Sequence, residues 1–214
     1  MLSNRIARLA PPPRAVPLPT VGSAMLGLTG GIGAAFLVMG LGTVWFCLGD
    51  RGVPPWVWGL LLAFVFIGAV LFTLATVQGL RWVALLRYGV VASAEALHKH
   101  ATNTYVNDQP VLRYVYRFRA RDGRAYSGAS RALGRDEIGD EAGEPVLYLP
   151  SNPKLSGLVD ALPLRCPLDV DDDGQWVSYE SVWPLVRCGL AWGGVAALVG
   201  YGVLRVLILA NAPR

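Results

Sequence analysis

Three stretches of the chain are almost free of charge, Val21 to Gly49, Val53 to Leu80 and Cys188 to Leu204. Each is about long enough to cross roughly 30 Å of hydrocarbon as a helix. Apolar side chains gain by leaving water, and a helix satisfies its own backbone polar groups in lipid. The pattern predicts transmembrane helices within residues 21–49, 53–86 and 182–210. Between the second and third runs the period changes. Val111, Arg113, Val115, Arg117 and Arg119 alternate with Leu112, Tyr114, Tyr116 and Phe118, which is the signature of a half-buried strand.

Asp122-Gly123 and then Arg124-Ala125-Tyr126-Ser127 predict a hairpin, because Asp-Gly tolerates the positive φ of a tight turn. Further strands are expected at Val90 to Ala96, Pro145 to Leu149 and Leu155 to Val159, with Pro150-Ser151-Asn152-Pro153 turning the chain. About five short strands suffice for a small barrel or bent sheet. The expected class is an α+β membrane protein, three transmembrane helices with a small β-barrel-like or bent-sheet domain (residues 87–165) inserted between the second and third. Residues 1–20 read as a Pro-rich, extended, disordered tail, and 166–181 as an acidic linker.

A hydrophobic share of 53% is high for a globular protein, and the three runs account for it. The net charge of +4 hints at an anionic partner until it is mapped. From Arg81 to Ser181 there are 12 Lys or Arg against 14 Asp or Glu, so nothing argues for nucleic acid. Arg5, Arg8 and Arg14 precede the first run, and Arg81, Arg87 and Arg187 flank the others, which predicts a cytoplasmic N-terminus and β domain and an outside C-terminus. Trp56 and Trp58 at one interface and Trp82, Tyr88 and Trp183 at the other fit aromatic belts. Arg205, close to the end of the third run, is expected to snorkel. No Asp or Glu lies in any run, which argues against transport chemistry. Cys47, Cys166 and Cys188 are expected to stay unpaired.

Gly27 and Gly31 in the first run, and Gly189 and Gly193 in the third, with Gly30, Gly33, Ala34, Gly194 and Ala197 beside them, recur at the spacing of helix contacts, so the first and third runs are expected to pack together within the chain or to pair two copies. Thr73 and Gln78 read as interhelical hydrogen-bond partners.

Tyr88-Gly89-Val90-Val91-Ala92-Ser93-Ala94, Tyr114-Val115-Tyr116 with Asp122-Gly123 and Tyr126, and Gly143-Glu144-Pro145-Val146-Leu147-Tyr148-Leu149-Pro150-Ser151-Asn152-Pro153 together resemble a bacterial membrane family, domain of unknown function 3592. The resemblance covers about residues 81 to 165. It implies a membrane-attached β module of the bacterial inner membrane and carries over no catalytic residue.

Three clusters could carry chemistry. Asp169-Val170-Asp171-Asp172-Asp173-Gly174-Gln175-Trp176-Val177-Ser178-Tyr179-Glu180 has the spacing of a calcium loop, with Asp169, Asp171, Asp173 and Glu180 as candidate Ca2+ ligands. Pro163 and Pro167 interrupt the helix that should enter such a loop. Tyr114, Tyr116, Tyr126 and Tyr148 either fill a small core or line a ligand groove. His98, Lys99 and His100 with Glu95 lack a third ligand and read as part of a polar loop running to Gln109. The sequence therefore predicts a noncatalytic multi-pass membrane protein, partnered by the lipid bilayer and by another protein or its own copies, whose β domain serves interaction or assembly. The alternative is a membrane-anchored ligand or Ca2+ sensor. No other cofactor is expected.

Overall fold

The computed structural model describes residues 6, 8–48, 52–106, 109–133, 143–161, 168–179 and 182–210. Helices α1 (Leu18–Met25), α2 (Leu28–Cys47) and α3 (Pro55–Tyr88) come first. Strands β1 (Val90–Val106), β2 (Gln109–Arg119), β3 (Ala125–Leu133), β4 (Pro145–Leu149), β5 (Asn152–Leu158), β6 (Leu168–Val170) and β7 (Trp176–Ser178) follow, and α4 (Trp183–Ala210) closes the order. Helices α2, α3 and α4 are long and apolar enough to cross a membrane.

The first apolar run is not one helix. Pro17 precedes α1, and the helix ends at Leu26, whose φ of −118° and ψ of 45° leave helical space; Gly27, with ψ of 179°, then restarts the chain as α2. Pro54 and Pro55 open α3, where fixed φ suits a first turn and a missing N–H costs nothing. The 34 residues of α3 make it about 51 Å long, longer than a hydrocarbon core, so its last turns project beyond the apolar span.

Glycines hold α2 and α3 together, and of the small residues that the spacing picked out Gly33 is one of those used. A Cβ on Gly33 would come within 2.6 Å of the Phe72 backbone nitrogen, and one on Gly68 within 2.7 Å of that of Leu37. Gly40 is equally tight against Val65. Gly27, Gly31, Gly189 and Gly193 have nothing within 4 Å, whereas Gly30, Gly33 and Ala34 beside them are buried in the helix contacts. A three- or four-residue repeat recurs on every side of so glycine-rich a helix; which side is used depends on the partner's shape. Thr73 and Gln78 are exposed rather than bonded between helices. Arg205 does not simply snorkel: its guanidinium donates to the Trp45 carbonyl and, at 2.7 Å, to that of Leu48. These are C-terminal carbonyls of α2, where a cation is favoured.

Five strands form one antiparallel sheet in the order β3-β2-β1-β4-β5. The sheet curls until its edges meet, with the Leu158 N–H donating to Ser130 Oγ at 3.2 Å. Leu112, Tyr114, Tyr116, Phe118, Val146, Tyr148 and Leu158 fill the inside, following the alternation read from β2. β1 runs far beyond Ala96, so His98, Lys99 and His100 lie on a strand and not in the predicted loop. The return strand begins at Asn152, ahead of the predicted Leu155.

The acidic linker contains structure too. β6 and β7 pair as a hairpin with Val170 opposite Trp176, while residues 162–167, 180 and 181 lie outside the described residues. A second core gathers Leu85 and Leu86 of α3, Leu147 of β4, Val159, Trp176 of β7 and Ile6 from the N-terminal segment.

Candidate functional site

The most elaborately bonded place in the chain is where α3 ends. The last carbonyls of a helix lack intrahelical partners, and here two distant segments supply them. Arg14 is only 4% exposed. Its Nη1 donates to Gly89 O at 2.8 Å and to Leu86 O at 3.4 Å, and its Nε donates to Ala10 O. The Arg14 backbone N–H donates to Arg87 O at 2.9 Å. Leu86 O also accepts the Trp176 indole N–H at 2.9 Å. A guanidinium among helix-terminal carbonyls is placed where the helix dipole favours positive charge. Burial pulls its pKa below the ordinary arginine value, and it stays charged because arginine starts so far above neutrality.

Residues 8–17 are therefore a strap and not a disordered tail. The strap bonds the β6–β7 turn at both ends: Ala10 N donates to Gly174 O at 2.9 Å, and Ala15 N donates to Gln175 Oε1 at 3.1 Å. It crosses the turn so closely that a Cβ on Gly174 would lie 2.5 Å from Arg8 O and 2.6 Å from Ala10 N. Gly174 also has φ of +75°, so glycine is required twice over.

The calcium-loop spacing falls on this same hairpin. Asp169 sits on β6 opposite Val177, and its Oδ1 accepts the Val170 N–H at 2.8 Å. Asp171 Oδ1 accepts the Gln175 N–H at 2.7 Å, and Asp171 O accepts the Gly174 N–H at 3.1 Å, which closes a tight turn. Asp173 is exposed at its tip, and Glu180 lies outside the described residues. Paired strands thus take the place of a helix-flanked loop. Among the described residues, no three His, Cys, Asp or Glu side chains gather to hold a metal ion.

Tyr114, Tyr116 and Tyr148 fill a core, and Tyr148 also borders an open cavity. Tyr114, Tyr116 and Tyr148 are at most 2% exposed, and only Tyr126 reaches the rim. Tyr116 OH bonds Ser156 Oγ at 3.1 Å, and Tyr148 OH accepts the Arg121 N–H at 3.0 Å. Burial raises the Tyr116 pKa, with the serine hydroxyls Ser156 and Ser130 partly opposing the shift. Asp122 accepts the Arg124 N–H and the Tyr126 hydroxyl, contacts that hold its carboxyl below the usual range.

An open cavity of about 530 Å³ borders the β1 bulge, with Ser93, Glu95, Arg119, Arg121 and Tyr148 among its lining. Arg119 Nε donates to Glu95 Oε1 at 3.2 Å across exposed surface, a contact of little energetic weight. His98 and His100 are exposed on β1 and add no third ligand.

Sequence reasoning missed Arg14, Gly174, Gln175 and Trp176 as a unit. Two signals were present: a single charge inside the run Pro11 to Pro19, and a tryptophan inside an otherwise acidic segment. Both mark side chains that burial must reward. No family model matches the chain, and no curated protein or solved structure matches it.

Proposed function

We propose that this chain is a noncatalytic multi-pass membrane protein, with α2, α3 and α4 crossing the bilayer and the N-terminus and β domain on the cytoplasmic side. The β domain serves protein interaction or assembly at the membrane face, in keeping with the resemblance of residues 81–165 to a bacterial membrane family. One observation carries this reading: Arg14, Trp176 and Leu86 O tie the N-terminal strap, the β6–β7 hairpin and the end of α3 into a single joint. An independently moving enzyme domain needs no such joint; a module whose position relative to the membrane matters does. The excess of Arg before the first apolar run and after the second supports the orientation.

The test uses the exposed far end of the β1–β2 hairpin. A Thr104→Cys chain with Cys47, Cys166 and Cys188 changed to serine should, in intact cells, resist a membrane-impermeant maleimide and react once the cells are opened; labelling of intact cells would reverse the orientation. A photo-crosslinking residue in place of Tyr105, which is 68% exposed, should yield a discrete higher-mass species in native membranes. Recovery of the uncrosslinked monomer alone would refute the assembly role, and recovery of the chain in a detergent-free supernatant would refute the membrane reading.

A further inference from the structure

The near-neutral average of the water-exposed region hides a separation of charge. Residues 95–133 carry seven Lys or Arg against three Asp or Glu, whereas 134–180 carry three against eleven. The register of the sheet concentrates the first excess on one outer face. Arg131 of β3 lies directly opposite Arg113 of β2, which lies directly opposite His100 of β1. Arg117 follows on the same face of β2. All four are exposed, and none has an ion-pair partner among the described residues. Like charges directly opposite one another weaken a sheet, so the Arg131–Arg113 pair is a standing cost that a bound counter-charge removes.

Contacts within the chain bring one end of the row near the end of the second apolar span. Trp82 lies in the last turns of α3, and its ring meets Gly157 of β5, where a Cβ would come within 2.5 Å. The next residue, Leu158, donates its N–H to Ser130 Oγ, and Arg131 follows Ser130. With neighbouring strands about 4.8 Å apart, the row starts only a few residues from an indole at the end of an apolar span. The acidic turn Asp171 to Asp173 is carried on a separate hairpin, which meets the end of α3 through Trp176 and the strap through Gly174 and Gln175.

We propose that the row Arg131, Arg113 and His100, extended by Arg117, binds the phosphate-bearing headgroups of an anionic phospholipid bilayer and seats the β domain against the membrane that its own helices cross. This inference rests on the membrane reading above. Arginine forks suit phosphate oxygens, and basic residues beside a membrane are drawn to anionic lipid within about a Debye length.

The experiment uses the full chain with Cys47, Cys166 and Cys188 changed to serine and a fluorophore on Ser127→Cys, an exposed position opposite Arg117. Incorporation into nanodiscs tests the membrane reading first and separately. Quenching of the fluorophore by a headgroup spin-labelled lipid should then rise several-fold when phosphatidylglycerol is added to phosphatidylcholine discs, and fall again with added salt. Arg113→Gln with Arg131→Gln should abolish that rise while leaving the melting temperature in phosphatidylcholine unchanged or higher. If the double variant does not fold, Arg117→Gln alone should lower the rise. Quenching that ignores lipid charge, or that survives these substitutions, would overturn the proposal. So would displacement of the labelled face from anionic discs by an acidic peptide at physiological salt, which would identify a soluble partner instead.

Discussion

The inside of the sheet is filled with rings, whereas the seam between α2 and α3 closes on bare backbone. Tyr114, Tyr116, Phe118 and Tyr148 occupy the first, with Phe118 and Tyr148 centroids 5.2 Å apart; Gly33, Gly40 and Gly68 line the second. On the membrane reading proposed above, the difference follows from solvent. In water, burying a large ring removes much apolar area and drives folding. Between helices surrounded by lipid that driving force is absent, and close backbone approach with dispersion contact replaces it. The joint at Arg14 lies where the two regimes meet, and there the chain uses a third device, a buried cation on helix-end carbonyls.

The seam offers the largest break. Gly68→Leu would drive side-chain atoms into the backbone of Leu37 and Gly33, and overpacking against atoms that cannot move is expected to cost at least ~3 kcal/mol. Thermal unfolding of the detergent-solubilised chain should show it as a large fall in melting temperature or loss of folded material. Gly189→Leu, with nothing within 4 Å of its Cβ, should change stability by no more than about 0.5 kcal/mol. Equal effects at both positions would dissolve the contrast.

A smaller effect is expected at the joint. Arg14→Ala strands the carbonyls of Gly89 and Ala10 and removes half the partners of Leu86 O. Loss of charge-assisted bonds at a buried site costs about 2–3 kcal/mol. Limited proteolysis should then cut residues 8–17 faster while the sheet stays protected, because the ring-filled interior does not depend on the strap. Simultaneous loss of both would mean that the two cores are one cooperative unit.

Tyr116→Phe gives the smallest change, about 1 kcal/mol for a bond to Ser156. It also sharpens the comparison through pH. Burial raises the Tyr116 pKa, so the folded chain keeps this proton when the unfolded chain has lost it. The resulting stability is intact below the ordinary phenol value of about 10 and disappears as pH rises through the folded value. A denaturation series into alkali should fall less steeply for Tyr116→Phe than for the parent chain; identical slopes would mean that the hydroxyl is not shielded from water.

What could be read in advance tracks how much of an element's environment is local. β2 was legible because Leu112, Tyr114, Tyr116 and Phe118 alternate with exposed residues over its whole length. The far half of β1 was not, because His98 to Thr104 is exposed or half-exposed on both faces; with no buried side there is no alternation, and the polar run resembles a loop. The calcium-loop spacing falls on a hairpin for a related reason. A four-residue turn between two short strands demands Asp and Gly as a calcium loop does, and spacing cannot distinguish bonding to backbone N–H groups from bonding to a cation. The helix-packing glycines were legible only in part through abundance: with 25 glycines in the chain, spacing selected the open Gly27 and Gly31 together with the tightly packed Gly33.

The chain's own order of residues determined three long apolar helices, an alternating hairpin and the turn at Asp122-Gly123, because each depends on neighbours within a few positions. Tertiary structure decided which glycines touch, that residues 8–17 form a strap, and that Arg14, Leu86 and Trp176 share one carbonyl. Those contacts join residues 160 positions apart and more, and a side chain's choice between water and a distant carbonyl is settled only once folding has brought that carbonyl within reach.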